Sequence, residues 1–234
     1  MNRKCTVAIH QPNFLPWLGY FEKIAKSDIF VFLDDVQIPK KGGSWVNRNL
    51  INIANRKVWA TIPIQRGHKK FQLVKDVSIE IRKPWREDYL NKISEAYTKH
   101  ERFLEYFNYL ETILSKDWKQ IYELNIELIY GLVDILGIQK PQFVLSSSLN
   151  LEGKKTQRII NIIQSVGGTK YLSGTGSQSY LEQNLFMKEN IDLQYTCAAS
   201  VQYNQKNAQN FLSGLSIIDV IMNCELEEIK KYVL

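Results

Sequence analysis

The apolar positions near the amino terminus fall into two short runs with a helical pattern between them. Residues 5–9 and 29–33 are mostly continuous apolar stretches, which is typical of strands buried on both faces of a sheet. Apolar side chains at positions 17, 18, 20, 21, 24 and 25 repeat with the period of a helix. A strand, a helix and a strand within about 30 residues predict a βαβ unit with neighbouring parallel strands.

Residues 36–82 have a different pattern, which predicts a basic loop followed by β structure. The run Lys40–Ser44 is basic and rich in glycine, which indicates a flexible loop. Residues 58–64 are mostly apolar and predict a strand. Apolar and polar side chains alternate in residues 74–81, which predicts a second strand with one exposed face.

Residues 84–137 contain three successive amphipathic patterns that predict three helices, with Gly137 as the expected cap of the last one. The α/β pattern then resumes. Strands are predicted at 142–145, 170–172 and 193–195, and helices at 155–166, 179–188 and 216–223. The sequence therefore predicts one α/β domain over residues 1–234, with a mainly parallel sheet and a helical subdomain inserted at 84–137.

The composition agrees with one globular domain and limits its surroundings. The chain has 234 residues, of which 44% are hydrophobic and 23% charged, and these values are close to those of ordinary globular domains. No signal-peptide core and no run of about 18 apolar residues is present. The three cysteines lie far apart without a C-x-x-C pair. We therefore expect a cytoplasmic protein without a membrane span, a disulfide framework or a metal site.

The first candidate for chemistry is the polar turn after the first predicted strand, at the strand end where ligands bind in open α/β sheets. His10 titrates near neutral pH and suits an acid, a base or a phosphate ligand. Gln11, Asn13 and Trp17 are the expected substrate contacts beside it. The alternative is a rigid turn, set by two prolines, in which His10 only bonds the backbone.

Asp34 and Asp35 follow the second predicted strand and are the second candidate. Carboxylates at a strand end suit an amine, a ribose or a metal ion, and we expect them to orient His10 or to bind an amine. Because neighbouring strand residues face opposite ways, only one of the two is expected to face the site. The alternative is a capped turn with solvated charges.

The third candidate lies in the basic segment. The chain has 30 Lys and Arg against 24 Asp and Glu, a formal net charge of +6, and much of the local excess lies between Lys40 and Lys70. Within it Trp45 suits stacking on a base or a sugar, and Arg48 suits paired hydrogen bonds to phosphate, with Asn47 between them. This placement favours a small phosphate-bearing molecule over a nucleic acid, although a solvated loop is the simpler alternative.

The fourth candidate is a glycine-rich turn between a predicted strand and a helix. Glycines let the backbone approach a phosphate closely, and hydroxyls add donors. The turn is neither a P-loop nor a full G-x-G-x-x-G, and its alternative is a helix cap at Ser177 or Ser179. The Ser216 and Asp219 pair has the spacing of a capping box. The substrate-binding residues expected at the turn are Ser173, Gly174, Thr175, Gly176 and Tyr180.

Several stretches closely resemble the WbqC-like family, and together they span almost the whole chain. That family is associated with bacterial O-antigen and other surface-polysaccharide gene clusters, so the resemblance implies a role in surface-polysaccharide biosynthesis. The stretches are Ile9–Ile24 (IHQPNFLPWLGYFEKI), Phe32–Gln37, Trp45–Asn49, Tyr171–Leu181 and Leu215–Asp219.

A looser similarity concerns the order of elements. A strand, a histidine-containing turn, a helix and a strand look like the Rossmann folds of nucleotidylyltransferases and of pantothenate synthetase. The H-x-G-H motif of those enzymes is missing, because only His10 matches its first histidine. The similarity implies a Rossmann-like sheet and keeps ATP chemistry as an analogy at the level of the fold.

Together these features predict an enzyme that acts on a nucleotide-linked amino sugar, an acyl- or aminoacyl-transferase that forms an amide. His10 would take a proton from the attacking amine or stabilise the oxyanion, and Arg48 would hold phosphate. The alternatives are an ATP-dependent nucleotidyltransferase or ligase that activates a carboxylate, and a non-catalytic nucleic-acid-binding protein. The sequence requires no cofactor. It allows an acyl or aminoacyl donor, including one on an acyl carrier, or ATP, and it allows a homo-oligomer.

Overall fold

The computed structural model describes residues 4–39, 44–65, 72–196, 201–206 and 208–234. These residues form a five-stranded parallel sheet, a two-stranded hairpin and eight helices. The strands of the parallel sheet are β1 (Thr6–His10), β2 (Ile29–Phe32), β5 (Gln142–Leu145), β6 (Lys170–Ser173) and β7 (Asp192–Tyr195). The hairpin consists of β3 (Arg48–Ile53) and β4 (Arg56–Thr61). The predicted α/β fold with a mainly parallel sheet is confirmed.

The strands of the parallel sheet lie in the order β5-β2-β1-β6-β7. The chain runs outward from β1 to β5 on one side, then returns to β6 and continues to β7 on the other side. This is the strand order of the Rossmann fold, in which ligands bind outside the carboxyl ends of the strands where the order reverses. The reversal falls between β1 and β6, which pair with Ala8 opposite Leu172.

Helices connect the parallel strands on both faces of the sheet. Helix α1 (Leu18–Ala25) connects β1 to β2, α5 (Lys155–Ser165) connects β5 to β6, and α6 (Gln183–Lys188) connects β6 to β7. Between β2 and β5 the chain forms the hairpin and the three predicted helices of the insertion. The remaining helices are α2 (Trp85–Tyr97), α3 (Phe103–Leu114), α4 (Ile121–Ile135), α7 (Ile217–Asn223) and α8 (Leu226–Val233).

Each face of the parallel sheet buries its own apolar core, as the continuous apolar strands predicted. Ala8, Phe30 and Phe32 face a large core that includes α1 and the inserted helices. Val7, Ile9 and Val31 face a smaller core formed with α5 and α6. Because side chains alternate along a strand, His10 follows Ala8 onto the face that carries α1.

The hairpin is where the structure departs most from the predicted elements. β3 was not predicted, and the strand predicted at 58–64 is β4, which starts and ends earlier. Ala54 and Asn55 join the two strands with positive φ of 49° and 62°, the geometry of a two-residue turn that matches strand twist.

The strand predicted at 74–81 is wrong. Residues Val74–Asp76 form a 3-10 turn, and Ser78 and Ile79 make only single bridges, to Gln120 and Ile64. The segment alternates because its apolar side chains are buried under the insertion, while its backbone bonds several different segments instead of one strand.

Three further features near the carboxyl terminus differ from the predictions: a helix boundary, an additional helix and a capping box. The helix predicted from 179 begins at Gln183, because Thr175–Ser177 form a 3-10 turn, and neither Ser177 nor Ser179 caps it. Helix α8 was not predicted. Ser216 does cap α7, since its Oγ accepts from the Ile218 N–H at 3.3 Å, but Asp219 bonds Tyr97 and Tyr203 and does not complete a capping box.

Candidate functional site

His10 ends β1 and is packed between two aromatic rings of the following turn and helix. Its ring lies edge-on to Trp17 and Tyr20, with centroids 5.5 and 4.9 Å away. Its Nδ1 lies 3.2 Å from the Gln11 carbonyl oxygen, which also accepts from the Tyr20 hydroxyl at 2.9 Å. The backbone of Gln11 therefore helps fix the imidazole, which is half-buried at the carboxyl end of the sheet.

A buried lysine beneath this turn was not predicted as part of the site. Lys23 of α1 is only 3% exposed, and its Nζ donates to the Ile9 carbonyl at 3.0 Å. Burial lowers the pKa of Lys23 to about 7. Burial, and then the charge of Lys23, lower the pKa of His10 well below its usual value. The imidazole is therefore neutral at pH 7 and able to accept a proton.

The glycine-rich turn follows β6 on the neighbouring strand. Because Ala8 lies opposite Leu172, two more residues bring the chains to His10 and Gly174, on strands about 5 Å apart. A Cβ added at Gly174 or Gly176 would meet no atom within 4 Å. The backbone of this turn is therefore open to a ligand at the point where the strand order reverses.

The serine hydroxyls of the same turn form hydrogen bonds within the turn. Ser173 is buried, and its Oγ forms a hydrogen bond of 2.7 Å with the Ser177 Oγ, in which either hydroxyl can be the donor. Ser177 donates to the Gly174 carbonyl at 2.7 Å. Thr175 is exposed, and Tyr180 is 68% exposed beside the turn. Ser173 therefore supports the turn, while Thr175 and Tyr180 are free to meet a ligand.

A row of aromatic rings leads away from His10 on the face that carries α1. Trp17 contacts Trp45 edge-on at 5.1 Å, and Trp45 contacts Trp59 at 4.9 Å. The guanidinium of Arg48 lies 3.8 Å from the centre of the Trp59 ring. The Arg48 Nε is covered and has no hydrogen-bond partner within the described ranges. Stacking therefore holds Arg48 in place, and the structure does not show it pointing into an open site.

Trp17 and Trp45 also line a cavity of about 500 Å³, a size typical of small-molecule sites. Its wall is mainly apolar, with Lys57 and Ser213 as polar groups at 3.4 Å from each other. The other lining residues are Leu18, Leu50, Val201, Tyr203, Phe211, Gly214, Leu215 and Val220. His10 does not line this cavity, and the Trp17 ring, which contacts the imidazole and forms part of the wall, stands between the two.

Two predicted polar contacts are buried. Asn47 is 4% exposed, accepts from the Ser44 N–H at 3.2 Å and donates to the Ile62 carbonyl at 2.9 Å, so it shapes the loop before β3. Asn13 is 2% exposed, and its Oδ1 has no partner within the described ranges. Asn47 therefore stabilises the loop that carries Trp45, and both amides are covered in this structure.

Asp34 and Asp35 lie at the carboxyl ends of β2 and β5, and neither is hydrogen-bonded to His10. Asp34 is 1% exposed and accepts from the hydroxyl and N–H of Ser147 at 2.6 and 2.9 Å. Asp35 forms an ion pair with Arg158 of α5 at 2.5 Å. The Ser146 Oγ lies 3.0 Å from Asp34 and 2.6 Å from Asp35. Asp34 therefore fastens two strand ends together, and Asp35 is the more accessible carboxylate.

The predicted site residues that follow parallel strands thus share one edge of the sheet but form three separate groups, around His10, around Gly174 and around Asp35, whereas Trp45, Asn47 and Arg48 belong to the hairpin and the loop before it. Sequence reasoning missed Lys23 and Arg158, because each is a single charged residue in an amphipathic helix. The loop residues Lys40, Lys41, Gly42 and Gly43, and the segment 66–71 with His68 and Lys70, lie outside the described residues.

The described residues contain neither a metal-type cluster nor a membrane-spanning helix. No three His, Cys, Asp or Glu side chains come together there as a metal site would need. No helix in the same ranges has the length and apolar character needed to cross a membrane.

The fold and these side chains define an α/β protein with Rossmann strand order and polar groups at the carboxyl ends of its strands. Its sequence matches the model of the WbqC-like protein family over residues 11–231, and the chain belongs to that family. It is similar to the uncharacterized protein Rv1507c of Mycobacterium tuberculosis, with 28% identity over 222 residues that cover 94% of each chain. No solved structure matches.

Proposed function

We propose that this protein is an enzyme of bacterial surface-polysaccharide biosynthesis that transfers an acyl or aminoacyl group to the amine of a nucleotide-linked sugar. Membership of the WbqC-like family supports the pathway, because that family is associated with O-antigen gene clusters. The observation that carries the reaction is His10, an imidazole at the end of β1 whose pKa is lowered by burial and which lies at the point where the strand order reverses. Its neighbour Trp17 links it to the aromatic cavity.

In this reaction the sugar amine attacks the acyl carbonyl, and a C–N bond forms as the bond to the leaving group breaks. The amine loses a proton to His10, which returns it to the leaving thiol or phosphate. A lowered pKa keeps His10 unprotonated at pH 7, so it accepts the proton without first losing one. Trp17 and Trp45 offer an apolar wall for the acyl group or for a ring of the substrate.

The open backbone at Gly174 and Gly176 supports a phosphate position on the neighbouring strand. A phosphate there lies beyond the strand ends, where Rossmann sheets hold nucleotides. The same strand order supports a second candidate, activation of a carboxylate by ATP, and ATP–pyrophosphate exchange tests it directly.

The decisive experiment incubates the purified protein with amino-sugar nucleotides and with acyl thioesters, or with amino acids and ATP. Mass spectrometry of the sugar nucleotide detects the amide. His10→Gln is expected to reduce the rate by about 10²–10⁴-fold, as loss of a general base does. His100→Gln is the matched control, because His100 is buried and bonds the Tyr97 carbonyl. Full activity in His10→Gln contradicts the assignment.

A further inference from the structure

The pair formed by Asp35 and Arg158 lies apart from the aromatic cavity and has no part in the reaction described above. We propose that Arg158 binds an oxyanion, the phosphate or carboxylate group of a ligand, at the carboxyl ends of β2 and β5. The anion site follows from the residues alone. Only its assignment to the phosphates of a sugar nucleotide rests on the proposed function.

The position of Arg158 is fixed from the sheet side. Phe32 pairs with Leu145, so β2 and β5 end side by side. Asp34 then binds Ser147, and Asp35 comes within 2.6 Å of the Ser146 Oγ. Asp35 in turn accepts from the Arg158 Nη2. These contacts hold the guanidinium at the strand ends, where open α/β sheets bind their ligands.

The pairing with Asp35 uses only some of the N–H donors of the guanidinium. It has five N–H donors in a planar fork, and a carboxylate commonly takes two of them side by side. Here Asp35 accepts from Nη2, while Nη1 is covered and has no acceptor among the described residues. Arg158 as a whole is 9% exposed. A covered charged donor without an acceptor is unfavourable, and an oxygen of a bound anion would supply the missing one.

The surroundings favour an anion over a second cation. Lys154 and Lys155 precede Arg158 and are both exposed. Together with Arg158 they offset the charges of Asp34, Asp35 and Glu152, so the carboxylates do not outnumber the cations at the site. Helix α5 begins at Lys155 without a side-chain cap, so its first N–H groups add partial positive charge. Side chains of a helix lean toward its amino end, which brings Arg158 toward these N–H groups.

An anion can approach the pair from its exposed edge without a rearrangement of the sheet, and the guanidinium must turn toward that edge to present the covered Nη1. The side chains of Asp35 and Arg158 are 17% and 11% exposed, so one edge of the pair opens to solvent. A purely structural ion pair is the competing explanation, and it predicts no affinity for anions.

Isothermal titration calorimetry of the full-length protein tests the proposal with inorganic pyrophosphate and, separately, acetate as probes. Arg158→Lys keeps a charge beside Asp35 but removes Nη1, and it is expected to weaken binding of the better probe about tenfold or more. Arg102→Lys is the matched control, because Arg102 is also partly buried and lies 3.6 Å from Glu225. It is expected to bind as the wild type does. Binding of pyrophosphate identifies a phosphate site, and binding of acetate alone identifies a carboxylate site.

A second variant separates lost binding from lost folding. Asp35→Asn combined with Arg158→Gln removes both charges together, so no unpaired charge remains buried. We expect it to keep the circular dichroism spectrum of the wild type and to lose the anion. No binding of either probe to the wild type overturns the proposal, and so does unchanged affinity in Arg158→Lys or in the double variant. If amide formation fails while pyrophosphate binds through Arg158, the proposed function is wrong and the anion site stands.

Discussion

Replacing Lys23 by methionine tests whether a buried, weakly basic lysine lies beneath the turn that follows His10. The Lys23 side chain is almost wholly covered, and its Nζ donates to the Ile9 carbonyl at 3.0 Å. Burial disfavours the charged ammonium and lowers its pKa from the usual 10.5 to about 7. Methionine has a similar length and no charge, so the substitution removes the titration and keeps the packing.

The expected effect on stability follows from proton linkage. Between about pH 7 and pH 10 the unfolded chain keeps a proton on Lys23 that the folded protein has lost. The unfolded state therefore binds more protons, and the free energy of unfolding rises with pH in this window. One pKa unit corresponds to about 1.4 kcal/mol, and the rise from pH 7 to pH 9 amounts to about 2 kcal/mol. Below pH 7 the penalty of burying the ammonium is fully present.

Urea unfolding at pH 7, 8 and 9, followed by circular dichroism, measures this rise. The wild type and Lys26→Met are expected to gain about 2 kcal/mol over the range, whereas Lys23→Met stays flat. Lys26 is a suitable control because it lies in the next turn with a 41% exposed side chain and pairs with Glu22 at 3.0 Å. A pH slope in Lys23→Met equal to that of the wild type would refute the reasoning.

The same variant also reports on His10. The charge of Lys23 is the second cause, after burial, of the lowered pKa of His10. Its removal should raise the pKa of the imidazole, which an NMR titration of the His10 ring detects. A His10 titration that does not move in Lys23→Met would show that the two groups are not coupled.

Three further substitutions test the packing beside the cavity, the packing at the amino end of β6 and the open backbone of the glycine-rich turn. Asp219→Ala should lower the free energy of unfolding by about 3 kcal/mol in urea titrations, because it leaves the hydroxyls of Tyr97 and Tyr203 without their acceptor; a loss below about 1 kcal/mol would contradict it. Gly168→Ala should destabilise by about 2 kcal/mol, since its Cβ would collide with a side-chain methyl of β1. Gly174→Ala has open space and should leave the melting temperature unchanged, while calorimetry shows weaker binding of a nucleotide sugar. A lower melting temperature would show that this turn is packed.

The elements predicted correctly are those whose pattern is local. The apolar side chains in the middle of β1 and along β2 form continuous runs, because both faces of the sheet are covered by an apolar core. The three helices of the insertion each bury one stripe of their own surface, so their period survives in the sequence. The βαβ unit predicted that β1 and β2 are parallel neighbours, and they are, but the order of the other strands was not predicted.

The elements predicted wrongly depend on distant partners. The segment at 74–81 alternates like a strand, yet its N–H groups bond Val36, Asp34 and other separate positions, so no continuous ladder forms. β3 was overlooked because the run that begins at Arg48 is polar at its start and was interpreted as a binding loop. Its partner β4 begins directly after the two-residue turn of Ala54 and Asn55, and that turn contains no glycine, the usual sequence sign of such a hairpin.

For the site, the sequence located the sheet edge but not the grouping of side chains along it. The predicted ends of the strands placed His10, Asp35 and Gly174 at the same edge of the sheet, because the carboxyl ends of parallel strands meet at one edge. Which face each side chain takes depends on strand register, and the partner of Asp35 stands 123 residues away on α5. A charged residue in an amphipathic helix gives no sign that it is buried, so Arg158 could not be singled out.

The insertion provides a physical reason why the His10 turn and the tryptophan row form one wall. Asn125 of α4 is fully buried, and its Nδ2 donates at 2.7 Å to the carbonyls of both Pro12 and Val46. One amide thus joins the turn after β1 to the loop that carries Trp45. From the other side Ser216 donates to the Leu15 carbonyl at 2.7 Å. Because segments far apart in the chain bind the same turn, the insertion acts as part of the candidate site and positions Trp45 against Trp17.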